Sequence, residues 1–311
     1  MSKKIILIVI AIVVVLGIGY LIYQAILNKP VNNSTGGIPE QAAEEKIAVE
    51  PLNATYLVEN QPVTLILGKA EKEIVPGSTS KITTMVFGSP TMGDLNDDGA
   101  DDAALILTQN SGGSGTFYYV AASVLNNKDG KTTGTNGILL GDRISIQSVL
   151  IDGGTITVNY SDRKKNGSMS VQPSVAITKY FGVRKDGVNE ILFEKPNTEK
   201  FNEYFQEVYL AKLPAGSEFD PFNIIKTTSF TAGEQFCSSL TMKKDIPAGS
   251  FGMEVYDIGT KQDVQAKGTF PQALKQGGSV GCENLQYPIG KYEFRLYIDD
   301  ILVAILPFEV K

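Results

Sequence analysis

Hydrophobic residues are distributed along the chain in contrasting patterns: one long, almost unbroken run, many short or alternating runs, and one helical spacing. The long run is Ile5–Leu27, which follows Lys3 and Lys4 and contains Tyr20 and Tyr23 near its far end. About 23 helical residues rise by roughly 35 Å, enough to cross a bilayer core of about 30 Å. Tyrosines favour the membrane interface and lysines the cytoplasmic side. The run therefore predicts a transmembrane helix.

We expect residues 1–28 to be an uncleaved single-pass anchor in the cell membrane, with a cytoplasmic N-terminus and the bulk of the chain extracytoplasmic. The alternative is a cleaved signal peptide, which has a shorter apolar core and a small-x-small cleavage site. Such a site does not fit at Ala25, because Tyr23 stands two residues before it. Residues 29–50 are rich in Asn, Gly, Ser, Glu and Ala, which predicts a flexible stalk.

Short apolar or alternating runs dominate residues 51–195, and such runs predict β-strands. The turn residues Asp152, Gly153 and Gly154 lie between two of these runs and predict a hairpin. We therefore predict a β-rich domain. Its predicted strands are Tyr56–Val58, Val63–Leu67, Lys81–Phe87, Ala103–Thr108, Thr116–Val124, Ile144–Leu150, Thr155–Tyr160 and Ser174–Val183.

The helical spacing occurs in residues 196–221, which we predict to be a connecting helix and linker. Asn197 or Thr198 can cap the helix, and Pro214 ends it. Apolar residues at i, i+3, i+4, i+7 and i+8 form one face, which would pack on the first domain or the domain interface. Docking of a partner on this face is the alternative. The face consists of Phe201, Tyr204, Phe205, Val208 and Tyr209.

Residues 222–311 return to short strands separated by turn signals, about seven in number, which suggests an immunoglobulin-like β-sandwich. The segment Leu285–Tyr292 resembles a tyrosine corner, although Trp is absent and Phe294 stands where antibody domains have Cys. The predicted fold class is therefore mainly β. The predicted strands are Ile224–Phe230, Gln235–Met242, Gly252–Asp257, Val264–Phe270, Gly281–Leu285, Tyr292–Ile298 and Ile301–Val310.

The clearest chemical signal is the loop Gly93–Asp102, in which oxygen-bearing side chains recur at alternate positions. Ca²⁺ takes about six to eight oxygen ligands, and Gly99 allows the sharp turn that such a loop needs. Carboxylates this close repel one another unless a cation lies between them. We predict a structural calcium ion; an acidic β-turn is the alternative. The candidate ligands are the side chains of Asp94, Asn96, Asp98 and Asp102 and the backbone carbonyl of Ala100.

The start of this loop fits an EF-hand, but Leu105 occupies the position of the bidentate Glu, and a strand follows in place of a helix. Asp102 at the ninth position, followed directly by a strand, resembles the calcium loops of FG-GAP repeats in integrin-type propellers. The chain has no second copy of the loop, so this resemblance does not imply a propeller. Over residues 52–311 the chain resembles uncharacterised bacterial surface proteins and lipoproteins, which implies no activity.

Composition narrows the function classes. The 311 residues carry a formal net charge of −6 and include no His and no Trp. An acidic chain argues against general nucleic-acid binding. The absence of His excludes Ser-His-Asp and Cys-His catalysis. Cys237 and Cys282 most simply form a disulfide in an oxidising compartment, and two buried free thiols are the alternative.

Other candidate sites are weaker. The glycine-rich loop Asn110–Gly115 lacks the Gly-Lys-Ser/Thr ending of a phosphate loop and is better explained as a hairpin loop. Tyr118 and Tyr119 could line a small ligand surface, although tyrosines in strands more often serve packing. Asp142, Asp152 and Asp162 are candidate carboxylates for a glycan hydrolase, but their spacing does not indicate a pair.

Together these features predict a membrane-tethered extracytoplasmic binding or scaffold protein that has a structural calcium site and is not an enzyme. Its expected partners are the membrane, through the N-terminal helix, and a cell-envelope protein or glycan. The alternatives are an inhibitor or accessory subunit of a cell-envelope enzyme, and a carboxylate-dependent glycan hydrolase.

Overall fold

Antiparallel β-sheets form most of the structure, a computed structural model that describes residues 48–164, 167–186 and 189–311. This confirms the prediction of a mainly β fold. The predicted anchor at residues 1–28 lies outside the described residues, as does most of the predicted stalk at residues 29–50. None of the helices within the described ranges is long and apolar enough to cross a membrane.

The N-terminal part begins with a 3₁₀ turn at Pro51–Asn53 and continues as strands up to residue 195. The predicted hairpin is confirmed, because Asp152 pairs with Thr155 across Gly153 and Gly154. The strands are β1 (Thr55–Val58), β2 (Gln61–Thr64), β3 (Lys69–Glu73), β4 (Lys81–Gly93), β5 (Asp102–Asn110), β6 (Phe117–Leu125), β7 (Thr132–Gly134), β8 (Ile138–Asp142), β9 (Ser145–Asp152), β10 (Thr155–Asp162), β11 (Val175–Asp186) and β12 (Asn189–Lys195).

These strands form a six-stranded sheet in the order β3-β4-β5-β6-β7, with β8 also paired to β6, and a four-stranded sheet β12-β11-β10-β9. On β5, Ala104 and Ile106 pack toward Ile156 and Val158 of β10. Leu105 on the opposite face of β5 packs toward the small β1-β2 sheet. A strand buried on both faces explains why the β5 sequence is continuously apolar.

The connecting region contains a shorter helix than predicted. Helix α1 spans Thr198–Tyr204, and the Asn197 side chain caps it by accepting from the Lys200 backbone amide at 2.9 Å. The prediction that the helix continues through Tyr209 is wrong, because strand β13 begins directly after α1. Phe205 and Leu210 are buried in the sandwich core, and pairing with a neighbouring strand overrides the helical spacing.

The C-terminal part is a two-sheet sandwich whose core is rich in phenylalanine. The Tyr292 hydroxyl donates to the Pro288 carbonyl at 2.7 Å, which is the hydrogen bond of a tyrosine corner. The immunoglobulin-like class itself stays a prediction. The strands are β13 (Phe205–Lys212), β14 (Ile225–Lys226), β15 (Ser229–Phe230), β16 (Gln235–Met242), β17 (Phe251–Asp257), β18 (Gln262–Thr269), β19 (Gly277–Asn284), β20 (Gly290–Ile298) and β21 (Ile301–Val310).

The two sheets of the sandwich have the orders β14-β13-β16-β19 and β15-β21-β20-β17-β18. Neighbouring strands are antiparallel except for β15 and β21, which are parallel. Ile47–Lys311 form one compact unit, so the N-terminal sheets and the sandwich pack on each other. At their junction the Asn197 amide donates to the Leu302 carbonyl of β21 at 2.8 Å.

Candidate metal centre

The predicted calcium loop connects β4 and β5, which are antiparallel neighbours in the six-stranded sheet. Gly93 and Asp102 form the last residue pair of these strands, so the sheet itself closes the loop. Gly99 has a φ of 83°, as its expected role in the turn requires, and Asp97 has a φ of 59°. The loop backbone therefore follows the tight turn that its sequence predicts.

Side chains of the predicted ligands lie against the backbone amides of the loop. Asp94 accepts from Gly99 at 2.8 Å and also from the amides of Asn96 and Asp98. Asn96 accepts from the Asp98 amide at 3.0 Å, and Asp98 accepts from the Ala100 amide at 3.0 Å. These are local turn bonds of the kind that Asp and Asn make.

Asp102 has a different environment, because its side chain is completely buried. One carboxylate oxygen accepts from the Leu95 amide at 3.0 Å, and the other accepts from the Leu125 amide at 2.9 Å. Asp102 thereby joins the start of the loop to the end of β6. A buried carboxylate with both oxygens hydrogen-bonded holds the loop in place with or without an ion.

The pKa values of Asp102 and Asp94 are shifted in opposite directions. Burial raises the pKa of Asp102 to about 6, the Leu125 and Leu95 amides counteract it, and the charges of Asp98 and Asp94 add to the rise. Burial would also raise the pKa of Asp94, but the backbone amides of Gly99 and its neighbours lower it overall. The loop carboxylates are thus close enough to repel one another, which favours a cation.

The oxygen-only ligand set fits the chemistry of calcium, because each carboxylate oxygen can accept more than one partner. In residues 48–164, 167–186 and 189–311, no group of three or more His, Cys, Asp or Glu side chains is arranged to hold a metal ion. The calcium site therefore stays a prediction that rests on loop geometry and ligand type.

The other candidate residues make structural contacts of their own. Tyr119 is buried, and its hydroxyl donates to Glu59 at 2.7 Å. Tyr118 packs edge-on against Phe87. Within the glycine-rich loop, the Asn110 side chain donates to the Gly115 carbonyl at 2.8 Å and closes it as a hairpin loop.

The candidate hydrolase carboxylates are held by structural contacts. Asp142 accepts from the Thr116 amide at 2.9 Å and pairs with Arg143. Burial acts to raise the pKa of Asp142, but Arg143 and the Thr116 amide lower it overall. Asp162 accepts from the Arg163 amide at 2.6 Å, and Asp152 ends β9 at the hairpin.

The disulfide prediction is confirmed. Cys237 of β16 and Cys282 of β19 are joined by an S–S bond of 2.02 Å and lie directly opposite each other in the sheet. The bond therefore fixes β19, the outermost strand of its sheet, to its only neighbour among the described residues.

Sequence reasoning missed a buried ionisable cluster on β17 and β20. Glu254 and Glu293 are buried, and Arg295, which lies opposite Glu254, donates to Glu293 at 2.7 Å. The Tyr297 hydroxyl donates to Glu254. Burial and a hydrogen bond with Asp263 raise the pKa of Glu254 to about 7, which Tyr297 and Arg295 counteract. The available signal was the presence of charged residues in two otherwise apolar strands, at alternate positions in β20.

No protein family, curated protein or solved structure matches the chain significantly. The resemblances to FG-GAP calcium loops and to immunoglobulin-like domains therefore stay predictions from the sequence.

Proposed function

We propose that the chain is a membrane-tethered protein that works outside the cytoplasm as a binding or scaffold protein, carries a structural calcium ion and is not an enzyme. The observation that carries this proposal is the disulfide between Cys237 and Cys282. Disulfides persist in oxidising compartments and are rare in the cytosol, so a disulfide supports an extracytoplasmic location. The expected anchor at residues 1–28 would supply the attachment.

Thiol labelling in bacterial cells that express the full chain tests the location. Cells are quenched with acid, and free thiols are alkylated with a maleimide-coupled polymer that slows migration in a gel. We expect no shift unless the sample is reduced first, and degradation of the chain by protease added outside spheroplasts. Cys237→Ser is the labelling control, because it frees Cys282. Labelled thiols in the unreduced chain together with protease protection would contradict the proposal.

The loop at Gly93–Asp102 supports the calcium part of the proposal, because the ion would neutralise carboxylates that already hold the turn between β4 and β5. The test is thermal unfolding of the full chain in excess calcium and in chelator. An ion that binds only the folded state at a hundredfold excess over Kd adds about 2.7 kcal/mol. We expect a rise in Tm of roughly 5–10 °C for a chain of this size.

Matched variants separate ion binding from loop stability. Asp94→Ala and Asp98→Ala should lose the calcium-dependent rise in Tm, whereas Asp101→Ala, an exposed loop carboxylate outside the ligand set, should keep it. The difference between calcium and chelator is the readout, since Asp94→Ala also removes backbone hydrogen bonds. Equal Tm values with and without calcium in the unsubstituted chain would contradict the calcium site and indicate an acidic turn that binds no ion.

A further inference from the structure

Strand β19 covers one side of the sandwich core without contributing side chains to it. None of its eight residues belongs to the buried apolar cluster of the sandwich, and Gly277, Gly278 and Gly281 are glycines. Glycine weakens a strand, because it has no side chain to pack. Ser279 and Glu283 border a cavity of about 190 Å³. Pairing with β16 and the disulfide therefore hold β19 in place, whereas side-chain packing contributes little.

Two apolar residues of β16 lie behind β19. Phe236 pairs with Glu283, and Leu240 pairs with Ser279. Phe236 and Leu240 line the same cavity and are almost completely buried, with 2% and 5% of their surfaces exposed. Release of β19 from β16 would therefore expose these two side chains to solvent.

Contacts at both ends of β19 limit the segment that can open. Before the strand, the Gln276 amide donates to the Asp245 side chain at 2.9 Å. After the strand, the Leu285 amide donates to the Glu234 carbonyl at 2.9 Å, and Leu285 is buried. Residues 277–284 thus lie between two held positions, so they can open as one local unit while the rest of the sandwich stays folded.

The disulfide opposes this opening, because Cys282 lies within β19 and Cys237 lies directly opposite in β16. The two cysteines differ in access to solvent. Cys237 is 0% exposed, whereas Cys282 is partly exposed on the outermost strand of its sheet. Thiol–disulfide exchange requires access to the sulfur that is attacked. Cys282 is therefore the cysteine that a reductant can reach.

We propose that Cys282 is a site of thiol–disulfide exchange with a dithiol reductant, and that reduction releases β19 as a local unit and exposes Phe236 and Leu240. This inference goes beyond the proposed function, because it adds a reactive site and the chemical class of its reactant. It depends on the disulfide and not on calcium.

The exchange consists of two displacements. A thiolate of the reductant attacks the Cys282 sulfur and forms a mixed disulfide, and Cys237 leaves as a thiolate that takes up a proton. The second thiolate of the reductant then attacks its own sulfur in the mixed disulfide and closes a disulfide within the reductant. Cys282 leaves and takes up the second proton. Two electrons have then passed from the dithiol, which is oxidised, to the chain, which is reduced.

The test is hydrogen exchange of the purified full chain, oxidised and after incubation with dithiothreitol, a dithiol. All samples are reduced again in the acid quench, so the same peptides are compared by mass spectrometry. We expect β19 peptides to exchange at least roughly tenfold faster after reduction, while β20 peptides stay protected over the same period. The double variant Cys237→Ser/Cys282→Ser should exchange like the reduced chain, with or without dithiothreitol.

Two glycine variants test whether missing packing is the reason that β19 opens. A Cβ added at Gly281 or at Gly278 would meet no heavy atom within 4 Å. The two positions face opposite sides of the sheet, because side chains alternate along a strand, and only Gly281 borders the cavity. Gly281→Val should therefore slow the exchange of β19 in the reduced chain. Gly278→Val is the matched control and should respond to reduction like the unsubstituted chain.

The attacked sulfur is identified with glutathione, a monothiol that stops at the mixed disulfide. After an acid quench and alkylation, peptide mapping should find glutathione on Cys282. Glutathione mainly on Cys237 would overturn the inference, as would unchanged exchange of β19 after reduction or simultaneous loss of protection in β19 and β20. These measurements use the purified chain, so their failure would leave the proposed location standing, whereas free thiols in cells would contradict that location.

Discussion

At the scale of single residues, Glu254 is a buried carboxyl whose ionisation is linked to folding. It is buried on β17, and its pKa is raised to about 7 by burial and by Asp263. The neutral carboxyl is therefore favoured in the folded state. In the unfolded chain the Glu254 carboxyl ionises near its ordinary pKa of about 4.3, so it binds the proton more weakly than in the folded state.

The raised pKa of Glu254 predicts that the free energy of unfolding decreases as pH rises. Because the folded pKa lies above the unfolded one, the stabilisation is complete below the unfolded pKa and is lost as pH rises from about 4.5 to about 7. We expect the free energy of unfolding of the full chain to fall over this window. The share due to Glu254 is on the order of 3 kcal/mol.

Urea unfolding at a series of pH values measures this share as the difference between the chain and Glu254→Gln, which cannot ionise. The variant should have a flatter profile, and Asp102, whose pKa is also raised, should account for part of the remaining slope. Glu218→Gln, at an exposed loop position, is the matched control for the loss of one carboxylate. Parallel profiles for the chain and Glu254→Gln would contradict the prediction.

At the candidate site the turn could be predicted, because its signal is local. The positions of Asp94, Gly99 and Asp102 follow a spacing that the sequence displays, and the turn has the expected backbone. The sequence could not indicate that Asp102 accepts the amide of Leu125, because that contact depends on the register between β5 and β6.

At the scale of elements, the region after Asn197 shows where hydrophobic spacing is ambiguous. Residues Phe205, Val208 and Tyr209 fit a helical face, but Phe205 and Leu210 are the residues that the sandwich core buries. A strand partner more than twenty residues away in sequence decides between the alternatives, because β13 pairs with β16. Local sequence therefore predicted the capped start of α1 but not its end.

The disulfide between β16 and β19 should contribute substantially to stability. It closes a loop with a sequence separation of 45 residues, for which the chain-entropy model gives about 4 kcal/mol and engineered cases give less. We expect the double variant Cys237→Ala/Cys282→Ala to lose roughly 2–4 kcal/mol of unfolding free energy in urea. Reduction of the unsubstituted chain should produce a similar loss, whereas reducing agent should not affect the double variant. A loss below about 0.5 kcal/mol, the level of an ordinary surface substitution, would contradict the prediction.

At the scale of the whole unit, contacts between the N-terminal sheets and the sandwich predict joint unfolding. Arg184 of β11 lies 4.0 Å from Glu293 of β20, and Lys261 pairs with Asp186. We therefore expect one cooperative transition for residues 47–311. In hydrogen exchange of the full chain at increasing urea, peptides from β10 and β20 should lose protection at the same midpoint.

The cysteine double variant makes this prediction sharper. Although both cysteines lie in the sandwich, the variant should lower the midpoint of β10 peptides by the same amount as that of β20 peptides. A shift confined to the sandwich would show that the parts unfold independently.

The overall architecture was only partly predictable. The hairpin at Gly153 and the buried β5 follow from local patterns of apolar and turn residues. The number of strands does not, because 15 strands are predicted from the sequence and the described residues form 21. The order of strands does not, because β13 joins the sandwich from the predicted linker and β15 pairs in parallel with β21. Such pairings form between segments that are distant in sequence, and no local pattern specifies them.

The pairing of β15 with β21 also sets an order of events during synthesis. Consecutive strands pair throughout the sheet β12-β11-β10-β9, so that sheet can assemble while translation continues. Ser229 and Phe230 instead find their partners in Glu309 and Val310, which leave the ribosome much later. Until then the sandwich lacks a central strand and exposes its phenylalanine core. A nascent chain at this stage is therefore prone to aggregation and is a natural client of chaperones.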